Sequence, residues 1–563
     1  MHGSIIPNSA RALWQRVKIS SFVAGTFCLA LGHTSAQEPD KTNLSLKMTL
    51  EQKVGQLMVW SFKGTNFTPE MQTLLTKYQP GALIAFRSNI KTPEQVARLN
   101  SDLQRFAMAK TRLPLLLMVD QEGGLVTRIQ SRLPAPSALA LARMEDTAFV
   151  ENYGRATGEM LRLLGFNVNL APVLDISNPR RDTFIGNRTF GNDPVRVSDM
   201  AIAYARGLNN GGLIPTAKHF PGHGGTSQDS HQTTPRKNSS LEELQNHDLI
   251  PFDNFVTADF TKAIMMAHMA LPNVDASGVP ATYSSVLIHD QLRENLGYKG
   301  LVMTDDLEMA GAQVAGEIGE RAVRAFLAGN DMLMLAGSPS HQKRAYEAMI
   351  LAVKEGRISQ ERLDQSVQRI VDTKARLKAP LRLNVKAVAP ALQKIDNFSR
   401  EVFKHNYKMA ALEAQKKWPE ITSKTKVKVY SASYMFFKKF QTAFKGKAEF
   451  FELNPTSLDS ARQAMSDDDE DVDFSVFFAS GSRTAHWLNG LSPDQKGKLI
   501  VVNTNSPGEV DDQSAFMSVL NINSYFTDSG AWLAQTLKGS VDLRLPAGEN
   551  PSQAGGDESD ENQ

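Results

Sequence analysis

Cysteine is all but missing from this chain: Cys28 stands alone among 563 residues. A lone thiol forms no disulfide within the chain and builds no thiolate cage for zinc, so the fold must be held by its apolar core. A surplus of charge of one sign is missing too. Lys and Arg number 62 against 60 Asp and Glu, a formal charge of +2, and so small a balance leaves no electrostatic footprint for nucleic acid. Acidic runs occur at 466–473 (SDDDEDVD) and 555–562 (GGDESDEN), and both read as solvated, disordered segments rather than binding sites. Long apolar runs are scarce. The run ISSFVAGTFCLALG (19–32) has 14 residues, fewer than the roughly 20 a helix needs to cross a bilayer.

That run follows Arg11, Arg16 and Lys18 and precedes the small residues Thr34, Ser35 and Ala36. Basic, apolar and small residues in this order form an export signal. Residues 1–36 are therefore expected to be a signal peptide, and the protein to be exported, periplasmic or extracellular, with no permanent membrane span after cleavage; a retained tether is the alternative. Cleavage would remove Cys28 and leave 59 basic against 60 acidic side chains.

From about residue 50 to 375, short apolar runs alternate with longer helical patterns. The runs are QLMVW (56–60), ALIAF (82–86), LPLLLMVD (113–120), FNVNLAPV (166–173), LIPTAKHF (213–220), AIMMAHMA (263–270), GLVMTDD (300–306) and DMLMLAG (331–337). They do not alternate polar with apolar, as expected of strands buried on both faces. Eight such β-then-α units predict an α/β fold, a (β/α)8 TIM-type barrel over 42–378, with an open doubly wound sheet as the alternative. Polar residues gather where the runs end: Asp120 and Glu122, Asp175, Lys218 and His219, His268, Asp305 and Asp306. In a barrel those ends converge on one face, where active sites sit. The proline-bearing stretch 379–394 reads as a linker. A smaller α/β sandwich domain is expected over 395–547, from a helical pattern near 395–417, the runs KVKVYSA (426–432), DFSVFFAS (473–480) and KLIVVNTN (498–505), and the helix-like GAWLAQTLKG (530–539). An acidic, disordered tail is expected over 548–563.

The densest polar stretch is KHFPGHGGTSQDSHQTTP (218–235). His219, His223 and His231 raise the question of zinc, but Pro221 and the surrounding glycines argue against the helix that H-x3-H spacing requires, so no metal is expected. A structural glycine turn explains PGHGG but not DSH at 229–231. In an extended or turn segment residues i and i+2 share a side, so Asp229 can orient the His231 ring and favour its imidazolium, the parts of a general acid/base. Asp305 directly follows a buried run; it is either a helix N-cap or a carboxylate at the barrel mouth. A carboxylate with a separate proton donor is the pair used in retaining glycoside hydrolysis.

The motifs VDQEGGLVTRI (119–129), APVLDI (171–176), GNRTFGNDP (186–194), KHFPGHGGTSQDSHQTTP, MMAHMALP (265–272) and VMTDDLEM (302–309) follow one another along the first domain. Together they resemble glycoside hydrolase family 3 β-N-acetylhexosaminidases. The resemblance implies that Asp305 is a nucleophile forming a covalent glycosyl ester, and that His231 is the acid/base with Asp229 as its partner. It also implies that Arg188, Lys218 and His219 hydrogen-bond the sugar in the −1 subsite while Asp120 grips its hydroxyls. DSH resembles the N-acetylglucosaminidase branch. Gly225 stands where many relatives carry Asp, and Leu125 where many carry Arg, which bears on aglycone specificity. The function so implied is a retaining exo-β-N-acetylglucosaminidase, without organic cofactor and expected as a monomer, whose partner is a β-GlcNAc-terminated carbohydrate from peptidoglycan or chitin. A phosphorylase with the same parts, a β-glucosidase and an inactive wall-binding protein are the competing readings.

Overall fold

The structure is a computed structural model, and it describes residues 47–176, 185–226, 230, 232–378, 384–414, 422–431, 434–444, 446–453, 472–479, 488, 491–497, 499–503, 518–521 and 533.

Each of the eight apolar runs contains a strand: β1 Met58–Ser61, β2 Ala82–Ala85, β3 Leu116–Val119, β4 Val168–Asn169, β5 Ile214–Phe220, β6 Ala263–Met266, β7 Leu301–Asp306 and β8 Met332–Leu335. All pair in parallel in chain order, and β1 closes on β8 with Met58 opposite Leu333. The barrel is closed, so the open-sheet alternative falls away. Nearly every strand residue is buried, as expected of strands that pack side chains inside the barrel and against helices outside it. β4 is the shortest because Pro172 has no N–H to give a ladder; beside it the Asn169 side chain makes two hydrogen bonds with the Gln121 backbone at 3.0 and 2.9 Å.

The helices follow from local chemistry. In Pro93–Thr111, Thr92 caps the start by accepting from the Gln95 N–H, and Pro93 occupies the first turn, where its missing N–H has no partner to lose. Val96, Leu99, Leu103 and Ala107 repeat at three- and four-residue spacing and are buried. Each large apolar side chain so buried contributes about 1.5–3 kcal/mol.

Two irregularities position the functional face. The β5–β6 register shifts between Ala217 and Phe220, and the β7–β8 register shifts between Met303 and Asp306. Bulges at strand ends re-aim side chains, and these two bracket Lys218 and His219 on one strand and Asp305 on the other.

A helix, Val388–Ala414, begins inside the stretch expected to be a linker. Pro390 lies in its first turn, where proline is tolerated, so the proline signal was misleading. Val388, Ile395 and Val402 join the barrel core, and Ala410 joins a second core. That second core lies on a parallel sheet of β9 Lys426–Ser431, β10 Lys447–Glu452, β11 Phe474–Ala479, β12 Leu499–Asn503 and β13 Ser518–Asn521, ordered β10-β9-β11-β12-β13. Three of these strands coincide with expected runs; β10 and β13 do not. Except for Leu533, the expected helix at 530–539 lies outside the described residues, as do 1–36 and 548–563. Among the described residues no helix is long and apolar enough to cross a membrane.

Candidate active site

Four charged side chains meet at the carboxyl ends of β3 and β5, Lys218 coming from within β5 itself. Arg188, in the short turn Gly186–Arg188, donates to Glu122 through Nε and Nη2, both at 2.8 Å. Lys218 Nζ lies 2.6 Å from Glu122 Oε1 and donates to Asp120 Oδ1 at 3.0 Å. The Lys218 and Glu122 side chains are only 4% and 3% exposed, whereas Asp120 is 15% exposed. Two cations thus face two anions, which is what makes their burial tolerable. Burial alone would raise the Glu122 carboxyl, but Arg188 and Lys218 outweigh it and hold the group well below the usual carboxylate range. Burial likewise opposes the Lys218 ammonium, yet Glu122 and Asp120 raise its pKa. Arg188 is raised for the same reason, chiefly by Glu122. Glu122, Arg188 and Lys218 thus stay charged across the physiological range.

A second cluster centres on Asp175, which is fully buried. Its Oδ1 accepts the backbone N–H groups of His219 at 3.1 Å and His223 at 2.7 Å, and its Oδ2 lies 2.6 Å from His219 Nδ1. The carboxylate therefore fixes the His219 ring with Nδ1 as donor and Nε2 as the remaining nitrogen. Despite burial Asp175 titrates at about 2, because His219 and His223 favour its charge. Burial pushes His223 down to about 4, so its ring is neutral at pH 7. Asp175 thus takes the His219 ring and the His223 backbone N–H, and among the described residues no group of three potential metal ligands converges. The glycines serve this packing: Gly222 has φ +121°, and a Cβ on Gly224 would lie 1.8 Å from the Ile176 carbonyl oxygen.

Asp305 sits near the end of β7, and its Oδ1 accepts the Asp306 N–H at 2.8 Å. Burial would raise its carboxyl; the attraction of His268, His219 and Lys218 prevails and holds it below the usual aspartate range. The N-cap alternative fails, since Asp305 ends no loop before a helix but belongs to the strand itself. Asp306 instead ties the strand end down, accepting from Glu308 N–H and Ala336 N–H, each at 3.1 Å, while its carbonyl lies 3.0 Å from His268 Nε2. Burial lifts Asp306 to about 6.

The structure thus brings Asp120, Arg188 and Lys218 into one cluster, and places His219 and Lys218 within electrostatic reach of Asp305. Asp229 and His231 lie outside the described residues; Ser230 between them is buried. Glu122, Asp175 and His268 were visible as polar residues at strand ends, but nothing in the sequence pointed to their partners.

Comparison with known proteins bears on the same residues. The family profile described as the glycosyl hydrolase family 3 N terminal domain matches residues 49–373. A β-hexosaminidase of Pseudomonas aeruginosa is 37% identical over 299 residues, spanning 52% of this chain and 86% of its own. A β-hexosaminidase of Methylococcus capsulatus is 36% identical over 290 residues, 51% of this chain and 84% of its own. Among solved structures, a glycoside hydrolase family 3 β-N-acetylglucosaminidase from Paenibacillus sp. FPU-7 matches with a TM-score of 0.73 at 28% identity, over 88% of this chain and 97% of that one. A β-glucoside phosphorylase, BglX, matches with a TM-score of 0.74 at 21% identity, a likeness of fold. With its closed barrel, and with a family match that spans all eight barrel strands, this chain belongs to glycosyl hydrolase family 3.

Proposed function

We propose that this β-hexosaminidase is a retaining exo-β-N-acetylglucosaminidase acting on terminal β-linked GlcNAc of peptidoglycan fragments or chito-oligosaccharides. The observation that carries the reading is Asp305: a half-buried carboxylate at the end of β7, kept ionised by His268, His219 and Lys218. An ionised carboxylate in such a place is suited to attack carbon. In the first step an Asp305 oxygen bonds to the anomeric carbon as the glycosidic C–O bond breaks, and His231, oriented by Asp229, gives its proton to the leaving oxygen. In the second, His231 takes a proton from water as that water attacks the same carbon and releases Asp305. Two displacements at one carbon retain the β configuration.

The Asp120–Glu122–Arg188–Lys218 set supports a polyol subsite. Charge-assisted hydrogen bonds grip neutral hydroxyls without requiring a charged substrate, and Asp120, more exposed than the Glu122 and Lys218 side chains buried behind it, is the carboxylate offered to the sugar. His219, its ring fixed by Asp175, supplies a further contact. No step needs a metal or organic cofactor. Residues 1–36 act as an export signal on this reading, which N-terminal sequencing of the secreted protein tests.

The deciding assay is release of aryl alcohol from β-GlcNAc and β-glucoside substrates, with and without phosphate. GlcNAc-selective release independent of phosphate is expected. Strong phosphate activation would instead make it a phosphorylase, glucoside preference a β-glucosidase, and binding without turnover a wall-binding protein.

A further inference from the structure

The chain on both sides of residue 231 is fastened to a single glycine. The Ser230 carbonyl, in a residue 3% exposed, accepts the Gly311 N–H at 2.9 Å. Thr234 Oγ1 donates to the Gly311 carbonyl at 3.1 Å. Gly311 lies in the turn Ala310–Ala315, which follows β7 and therefore Asp305. Both peptide groups flanking its Cα are thus engaged, one by Ser230 and the other by Thr234.

Gly311 is required there for space rather than for conformation, because its φ is not in the left-handed region. A Cβ on it would lie 2.9 Å from His268 Cβ, 3.0 Å from the His268 carbonyl oxygen and 3.0 Å from the Ser230 carbonyl oxygen. These are backbone atoms and a Cβ, not the ends of flexible side chains, so a methyl group must move one of the two segments. His268 is held from two sides, with Nδ1 2.8 Å from Thr282 Oγ1 and Nε2 3.0 Å from the Asp306 carbonyl. Ser230 is held to Gly311 through its carbonyl, a bond worth about 1 kcal/mol, and is the partner that yields first.

We infer that Gly311 is a positioning residue for proton transfer. Its missing side chain leaves room for Ser230 and Thr234, which flank residue 231 in sequence, to bond to the turn that follows Asp305, and so ties the chain carrying the proton donor to the element carrying the nucleophile. The inference rests on the proposed acid/base role of His231, and it adds a requirement that neither Asp305 nor His231 expresses by itself. Misplacing a catalytic group by about 1 Å reduces rate by about 10²-fold, and the loss must fall on the step that needs a proton.

The test compares Gly311→Ala and Thr234→Val with His231→Ala on two substrates: dinitrophenyl β-GlcNAc, whose leaving group needs no proton, and chitobiose, whose leaving group does. Gly311→Ala should lower kcat/KM on chitobiose at least about tenfold more than on the dinitrophenyl glycoside, within the range that general acid catalysis provides. Thr234→Val removes one hydroxyl without adding an atom near His268; it should show the same bias to a smaller degree, and it carries the test if Gly311→Ala does not fold. Equal losses on both substrates in these two variants, with a biased loss in His231→Ala, would overturn the role of Gly311 alone. Equal losses in His231→Ala would overturn the acid/base reading itself, and this inference with it.

Discussion

At the scale of the residue, Glu122 touches both cations of its cluster and is the hub of their charge balance. Removing its charge leaves Arg188 and Lys218 buried with Asp120 as the remaining anion of the cluster. Glu122→Gln is therefore expected to destabilise the fold by about 3 kcal/mol, the scale for breaking a buried ion pair, and to raise KM for aryl β-GlcNAc. Denaturant titration and steady-state kinetics read the two effects. The pH dependence follows from sign. Glu122 is depressed in the fold, so its stabilisation is present above the unfolded carboxylate value of about 4.3 and is lost as pH falls below it. Wild-type stability should fall from about pH 5 downward, and Glu122→Gln should fall less steeply; parallel curves would mean the pair does not set acid stability. The sequence marked Asp120, Lys218, His219 and Asp305 as strand-end polar groups, but Glu122 finds Arg188 66 residues away and Asp175 finds His219 44 residues away. Such pairings follow only once barrel closure is known.

At the scale of the element, the eight barrel strands were legible because burial on both faces leaves runs apolar throughout, a pattern that surface helices do not imitate. β10 escaped notice because KAEFFE, an edge strand of its sheet, mixes charge with apolar residues, and β13 because four residues carry little pattern. The helix from Val388 was hidden by Pro390, which reads as a breaker unless the first turn is recognised. The loop after β5 depends on Gly224 pressing against Ile176. Gly224→Ala must displace that loop or the segment after β4 that carries Asp175, and about a 10²-fold loss of kcat/KM is expected, with the melting temperature lowered as well. Unchanged kinetics would show that the close approach has no part in placing His219 and Asp175.

At the scale of the whole molecule, the barrel and the second sheet share the helix Val388–Ala414. Asp396 accepts the Leu133 N–H at 2.8 Å, and Asn406 Nδ2 donates to the Ala140 carbonyl at 2.8 Å, so this helix belongs to the barrel as much as to the second sheet. Val388, Ile395 and Val402 together bury side chains worth about 5 kcal/mol. A protein ending at residue 378 should therefore melt roughly 10 °C below the full chain, and one ending at 414 should recover much of the difference. Equal melting of both truncations would show the barrel to be independent of this helix.

The proposed chemistry turns on one bond, between Asp305 and the anomeric carbon. A slow fluorinated β-GlcNAc substrate lets that ester accumulate, and intact mass followed by peptide mapping locates it. One glycosyl adduct is expected, on Asp305, decaying as turnover resumes. An adduct on another residue, or turnover with inversion of the anomeric carbon and no adduct, would contradict that chemistry.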